Sequence, residues 1–279
     1  MQVHFGTDSS EYKKELGMAL ERQRLDGQVA IVTGAGRGVG RGIATTLAEA
    51  GATIVCSSRT QREIDETVGI IEGAGGRAVA TIADVMKKDD LVALTDYTIE
   101  KFGRIDIVVN NAGGNEYRPF LDISEEEFKF HFDWNTTSAF LLSQAAAPHM
   151  LKAGKGSIIN LSSGAGRIGI RGMMAYGVAK AALEQLTRCM AQELAPKIRV
   201  NCLSLGAVMT PALQNTYDMQ EGFKEKLHEL TPLKREGTTE DIGLAALYLC
   251  TNGCYATSTV LHIDGGLQET NLPFKLPDL

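Results

Sequence analysis

The sequence predicts a doubly wound α/β domain, a seven-stranded parallel sheet with helices on both faces. Three observations carry that expectation. Seven short apolar runs lie at 29–32, 53–56, 78–82, 105–109, 157–161, 198–203 and 259–263. Amphipathic stretches at 39–50, 61–73, 87–102, 123–152, 175–195 and 239–251 separate them. The first run leads straight into a glycine-rich turn. Short apolar strands alternating with helices imply βαβ crossovers and a sheet buried on both faces.

Taken in order, residues 9–24 read as a helix, with Tyr12, Leu16 and Leu20 four apart and charges between them. They form a helical extension over 1–26, expected to pack on a neighbouring subunit. The α/β pattern begins after Asp26-Gly27 and fills 27–279 as one domain, with no linker, internal repeat or low-complexity tract. Residues 207–235 break the alternation between the sixth and seventh strands, with Pro211 and Pro232 near the ends. Such a segment suits a mobile cover over a site. Its Met209, Leu213, Tyr217, Met219 and Phe223, with Met173 and Met174, either line an apolar pocket or pack on the sheet.

The 279 residues are 44% hydrophobic and 22% charged, an ordinary globular composition. A net charge of −6 and a pI near 5.5 give no footprint for nucleic acid or an anionic membrane. No run approaches the roughly 18 apolar residues of a membrane span, and no apolar signal core opens the chain. The five cysteines form no Cys-x-x-Cys pair and read as buried thiols of a reducing compartment, hence a cytoplasmic protein without a protein-held metal.

Residues 33–40 (TGAGRGVG) follow the first strand and open a helix. Glycines there let the backbone turn tightly and approach a pyrophosphate at the helix N-terminus, as in Rossmann-type domains. Gly34, Arg37, Gly38, Val39 and Gly40 are therefore candidate dinucleotide contacts. A carboxylate at the tip of the second strand would hold the ribose 2′-hydroxyl of NAD. This strand ends Cys56-Ser57-Ser58-Arg59, without an acid. Arg59 and Ser58 can instead bind a 2′-phosphate, and Arg37 adds a second cation, so NADP(H) is the expected cofactor.

Tyr176 and Lys180 stand four apart, on one face of a helix, with Ser163 thirteen positions upstream of the tyrosine. A phenol beside an ammonium is expected to ionise more readily than usual and to serve as an acid or base.

With these residues the chain resembles the short-chain dehydrogenase/reductase superfamily, in its form of about 250 residues, over residues 27–268. The resemblance rests on 33–40, Asp84-Val85, the Asn-Asn-Ala-Gly run at 110–113, Asn135, Ser162-Ser163, Tyr176 with Lys180, and 205–210. The Asn-Asn-Ala-Gly-Gly run at 110–114 and the Thr-Pro-Leu-Lys-Arg run at 231–235 are similar to bacterial hydroxysteroid dehydrogenases and 3-oxoacyl-thioester reductases. It implies hydride transfer between a nicotinamide and a ketone or secondary alcohol. Tyr176 would be the acid/base, Ser163 would bind the substrate oxygen, Lys180 would bind the nicotinamide ribose and lower the tyrosine pKa, and Asn135 would anchor a relay water. Asp84 and Val85 would meet the adenine. Asn110, Asn111, Ala112 and Gly113 would close over the adenosine, and Val208 and Thr210 would hold the carboxamide. Family members pair as dimers or tetramers through the helix carrying Ala181, Ala182, Leu186 and Cys189. One departure is Leu205-Gly206 where the family has Pro-Gly.

Overall fold

All five residues of β1 (Val29–Thr33) are buried, and this strand lies near the middle of the sheet. The computed structural model describes residues 21–272, so most of the expected 9–24 helix lies outside the described residues. The other strands are β2 (Thr53–Ser58), β3 (Arg77–Ile82), β4 (Ile107–Asn110), β5 (Gly156–Ser163), β6 (Ile198–Leu205) and β7 (Val260–Ile263). They form one parallel sheet in the order β3-β2-β1-β4-β5-β6-β7. The chain winds outward from β1 to β3, then returns to place β4 on the other side of β1. That reversal opens a crevice at the carboxyl ends of β1 and β4, where open α/β sheets bind ligands.

Side-chain alternation on β1 divides the core. Ala30 and Val32 join Ile43 and Leu47 of α1 (Gly38–Glu49), Ile64 of α2 (Gln61–Gly73) and Ile242 of α9 (Thr239–Cys250). Val29 and Ile31 point the other way, to Leu91 of α3 (Lys88–Phe102), Leu142 of α5 (Ser138–Ala153) and Ala191 of α6 (Met174–Leu194). A period of two, with both faces apolar, is what burial under two helical layers requires.

The stretch 123–152, one amphipathic unit in the sequence, is divided. α4 (Glu125–Phe132) starts at a capping box in which Ser124 and Glu127 bond each other's backbone N–H. It passes into a π-helical turn, Asp133–Thr137, before α5 begins. Residues 207–235 are also more regular than the sequence suggests, holding α7 (Pro211–Met219) and α8 (Phe223–Leu230). α7 buries none of its residues, whereas Phe223 and Leu227 anchor α8. Met219 is 75% exposed, so the apolar residues of the segment divide between surface and packing.

At Leu205 the missing proline has a visible consequence. β6 continues through Leu205, which pairs with Ser163 on one side and Ile263 on the other. Proline would bring no N–H to that ladder. The cysteine expectation needs one correction: four thiols are buried, but Cys189 lies exposed on the outer face of α6. No helix among the described residues is long and apolar enough to cross a membrane.

Candidate active site

Thr33 closes the end of β1 onto β4. Its hydroxyl donates to the Val109 carbonyl at 3.2 Å and accepts the N–H groups of Asn111 and Ala112, both at 3.1 Å. Asn111 Nδ2 donates back to the Thr33 carbonyl at 2.9 Å. Between them sits the glycine loop. A Cβ on Gly40 would fall 2.2 Å from the Gly34 carbonyl oxygen and 2.5 Å from Asn111 Nδ2, so only glycine lets the loop fold this closely.

The loop, the β2 tip and the β4 loop enclose a cleft of about 550 Å³. Gly34, Arg37, Gly38, Val39, Gly40, Ser58, Arg59, Val85, Asn111, Ala112, Gly113, Tyr176 and Thr210 all line it. Arg37, the residue before α1, makes no side-chain cap, and the first-turn N–H groups face the loop end as a phosphate site requires. Glycine cradle, helix N-terminus and flanking cations together fit a dinucleotide.

Asn110 is placed differently from the expectation, and Asp84 and Val208 do not line this cleft. Asn110 is turned into the core, donating to Ser143 Oγ at 3.0 Å and Asn160 Oδ1 at 2.8 Å, because the last residue of β4 alternates away from the crevice. Asp84 is taken up by its own turn, its Oδ1 accepting from Met86 N at 3.1 Å, while Ala83 and Val85 face the cleft. Val208 is buried opposite Gly237, and the bonds there are made by its neighbours: Gly237 N–H donates to the Ala207 carbonyl at 2.9 Å and Met209 N–H to the Gly237 carbonyl at 2.8 Å. Thr210 lines the cleft while capping α7, its hydroxyl accepting from Leu213 N at 3.3 Å. Sequence reasoning missed Thr60, Glu63 and Trp134 in the same lining. Glu63 carried a legible signal, an acid five residues beyond the strand tip.

Tyr176 and Lys180 project from the first turns of α6 toward the end of β5. The Ser163 hydroxyl stands beside the Tyr176 phenol and favours its ionised form, while Ser163 Oγ accepts from Ala165 N at 3.2 Å. Ser162 faces the opposite way, donating to Glu184 Oε1 at 2.8 Å and the Lys180 carbonyl at 3.3 Å. Strand alternation thus turns Ser163 toward Tyr176 and Ser162 into the core. Lys180 is buried, its Nζ donating to the Leu161 carbonyl at 2.7 Å and lying 5.5 Å from the Tyr176 ring centre. Gly113 separates Lys180 from Asn135: a Cβ there would meet Asn135 Oδ1 at 2.5 Å and Lys180 Nζ at 3.3 Å. Thr136 ties the π-turn to α6 by donating to the Ala179 carbonyl at 2.6 Å.

The expected easing of tyrosine ionisation is reversed in direction. Burial pushes Tyr176 up to about 12, against the opposing effect of the Ser163 hydroxyl, and the nearby Tyr117 phenol adds to the rise. Burial also lowers Lys180 from its ordinary 10.5 to about 8. The ammonium lies over the ring and bonds a carbonyl, so desolvation outweighs its pull on the phenol.

Residues 34–268 match a family model described as enoyl-(acyl carrier protein) reductase. The chain is 41% identical over 264 residues to an uncharacterized oxidoreductase of Mycobacterium tuberculosis, covering 94% of this chain and 100% of that one. It is 40% identical over 251 residues to a 7α-hydroxysteroid dehydrogenase of Escherichia coli K12, covering 89% and 97%. A solved 7α-hydroxysteroid dehydrogenase, complexed with NADH and 7-oxo glycochenodeoxycholic acid, superposes with a TM-score of 0.84 at 39% identity, covering 88% of this chain and 96% of that one. With its seven-stranded parallel sheet and its glycine loop, the chain belongs to the short-chain dehydrogenase/reductase family of oxidoreductases.

Proposed function

We propose that the protein is an NADP(H)-dependent oxidoreductase that interconverts a ketone and a secondary alcohol, with Tyr176 as general acid/base. The observation that carries this reading is the juxtaposition of Tyr176, Ser163 and buried Lys180, with Tyr176 lining a glycine-walled cleft. The nicotinamide, when bound, supplies or accepts the hydride. Gly34, Gly38, Val39 and Gly40 would hold its pyrophosphate, Ser58, Arg59 and Arg37 the 2′-phosphate, and Asn111, Ala112, Gly113, Val85 and Thr210 the remaining length. Tyr176 donates its proton to the substrate oxygen in reduction and takes it back in oxidation. Ser163 fixes that oxygen by hydrogen bonding, as an oxyanion donor does. A phenol that stays protonated to about 12 is the competent acid for the reductive direction at neutral pH.

The substrate in this reading is an apolar ketone or alcohol of hydroxysteroid or 3-oxoacyl type, in keeping with the hydroxysteroid dehydrogenase relatives. The description of the matching family model favours a second reading, reduction of an enoyl thioester. The complete Asn135, Ser163, Tyr176 and Lys180 set favours the carbonyl reaction. The proposal extends to a cytoplasmic homodimer or homotetramer paired through the Ala181, Ala182, Leu186 and Cys189 face. Incubation with NADPH and a panel of ketones and enoyl thioesters, followed at the nicotinamide absorbance band, tests it. Consumption with ketones supports the first reading, consumption with enoyl thioesters alone supports the second, and none with either overturns both.

A further inference from the structure

An acid stands at the end of the cleft where the strand tip has none. Glu63 lies in the first turn of α2 and lines the cleft beside Ser58, Arg59 and Thr60. Its carboxylate is 4.0 Å from the Arg37 guanidinium. The two partners are held very differently. Glu63 is pinned by the glycine loop: a Cβ on Gly36 would meet Glu63 Cβ at 2.7 Å and Oε2 at 3.1 Å. Arg41 and Thr67 lock that packing, with Arg41 Nε donating to the Gly36 carbonyl at 3.1 Å and Thr67 Oγ1 to the Ala35 carbonyl at 2.9 Å. The Arg37 side chain is 70% exposed and reaches Glu63 only at the limit of an ion pair, so it can be exchanged.

Two cations and one fixed anion therefore line the same cleft, with Arg37 and Glu63 facing each other. A 2′-phosphate, with close to two negative charges, is drawn by Arg37 and Arg59 but repelled by Glu63, which also competes for Arg37. A ribose with a bare 2′-hydroxyl forgoes that attraction and meets an acceptor. We propose that Glu63 sets the cofactor preference of this cleft, competing with the 2′-phosphate for Arg37 and accepting a hydrogen bond from a 2′-hydroxyl. This rests on the reading that the cleft holds a nicotinamide dinucleotide, and it makes the preference for NADPH narrower than the two arginines alone would set.

The test is calorimetric titration of the full-length protein with adenosine 2′,5′-bisphosphate and with adenosine 5′-monophosphate, for wild type, Glu63→Gln, Glu63→Ala and Glu63→Asp. The Gln and Ala variants should bind the bisphosphate about fivefold tighter and the monophosphate no tighter, and Asp should keep the wild-type ratio. The gain should shrink as salt rises, since exposed charges are screened. An unchanged ratio in Gln and Ala, or an equal shift for both nucleotides as a packing defect would produce, overturns the role of Glu63 alone. Failure of the wild type to bind either nucleotide overturns the dinucleotide reading, and this inference with it.

Discussion

Asn135 grips Gly114 from both sides. Its Oδ1 accepts the Gly114 N–H at 3.1 Å, and its Nδ2 donates to the Gly114 carbonyl at 3.0 Å. The same amide nitrogen reaches the His131 carbonyl at 2.9 Å, one turn back. One side chain thereby joins the loop after β4 to the π-turn before α5. Asn135→Ala should remove all three bonds, cost about 2–3 kcal/mol of stability, and lower kcat more than it raises KM. Thermal unfolding and steady-state kinetics check this, and wild-type turnover would deny the grip a part in alignment.

Tyr176→Phe keeps the ring and removes the phenol oxygen that stands beside Ser163. Turnover should fall by about a thousandfold or more, the upper range for a lost acid/base, with NADPH affinity nearly unchanged. Fluorescence titration of Trp134, the protein's one tryptophan and a cleft residue, reads the affinity separately from the rate. Near-wild-type rates in this variant would sink the proposed mechanism.

Arg59→Ala removes a cation from the β2 end of the cleft. NADPH binding should weaken about tenfold or more while NADH binding changes little, because a charge-assisted bond to phosphate is strong and the bare ribose offers no charge. Equal losses for the two cofactors would show that Arg59 does not read the 2′-phosphate.

Lys180 gives folding a pH dependence of definite sign. Folded, it releases its proton at about 8, and the unfolded chain retains it to about 10.5. Between those values the unfolded state binds more protons, so stability rises with pH, by roughly 3 kcal/mol in all at ~1.4 kcal/mol per unit. Tyr176 acts oppositely, but only between its ordinary 10 and about 12. The buried thiols of Cys56, Cys202 and Cys250, pushed from 9.0 up to about 12, also act oppositely from about pH 9 upward. The Lys180 contribution is therefore read as a difference: in denaturant unfolding from pH 7.5 to 9.5, wild type should gain stability relative to Lys180→Met. An identical profile in that variant would mean the ammonium is not desolvated as the structure indicates.

The strands, the glycine loop and the Tyr176–Lys180 pair were legible because each rests on short-range pattern: apolar periodicity, a turn that needs glycine, a helical spacing of four. Ser163 was legible by spacing, and strand alternation supplied the reason Ser162 is excluded. What escaped the sequence depends on packing between distant segments. Asn110 looked like a cleft residue until β4 and β5 brought Asn160 within reach of its amide. Glu63 was readable as an acid near the strand tip, but its pairing with Arg37 exists only once α2 packs on the glycine loop. The direction of the Tyr176 shift was misjudged because a motif shows the cation but not the loss of water around both groups.

The π-turn at Asp133–Thr137 sets the rotational phase between α4 and α5. An α-helix advances about 100° per residue, so one residue more or fewer here would swing Leu142, Ala146 and Met150 about that far from their seat against the sheet. Either change would still leave helix on both sides. Length, more than composition, is thus what this stretch must conserve: most exchanges of side chain can be absorbed, whereas an insertion or deletion uncouples the wall of the crevice from the core beneath it.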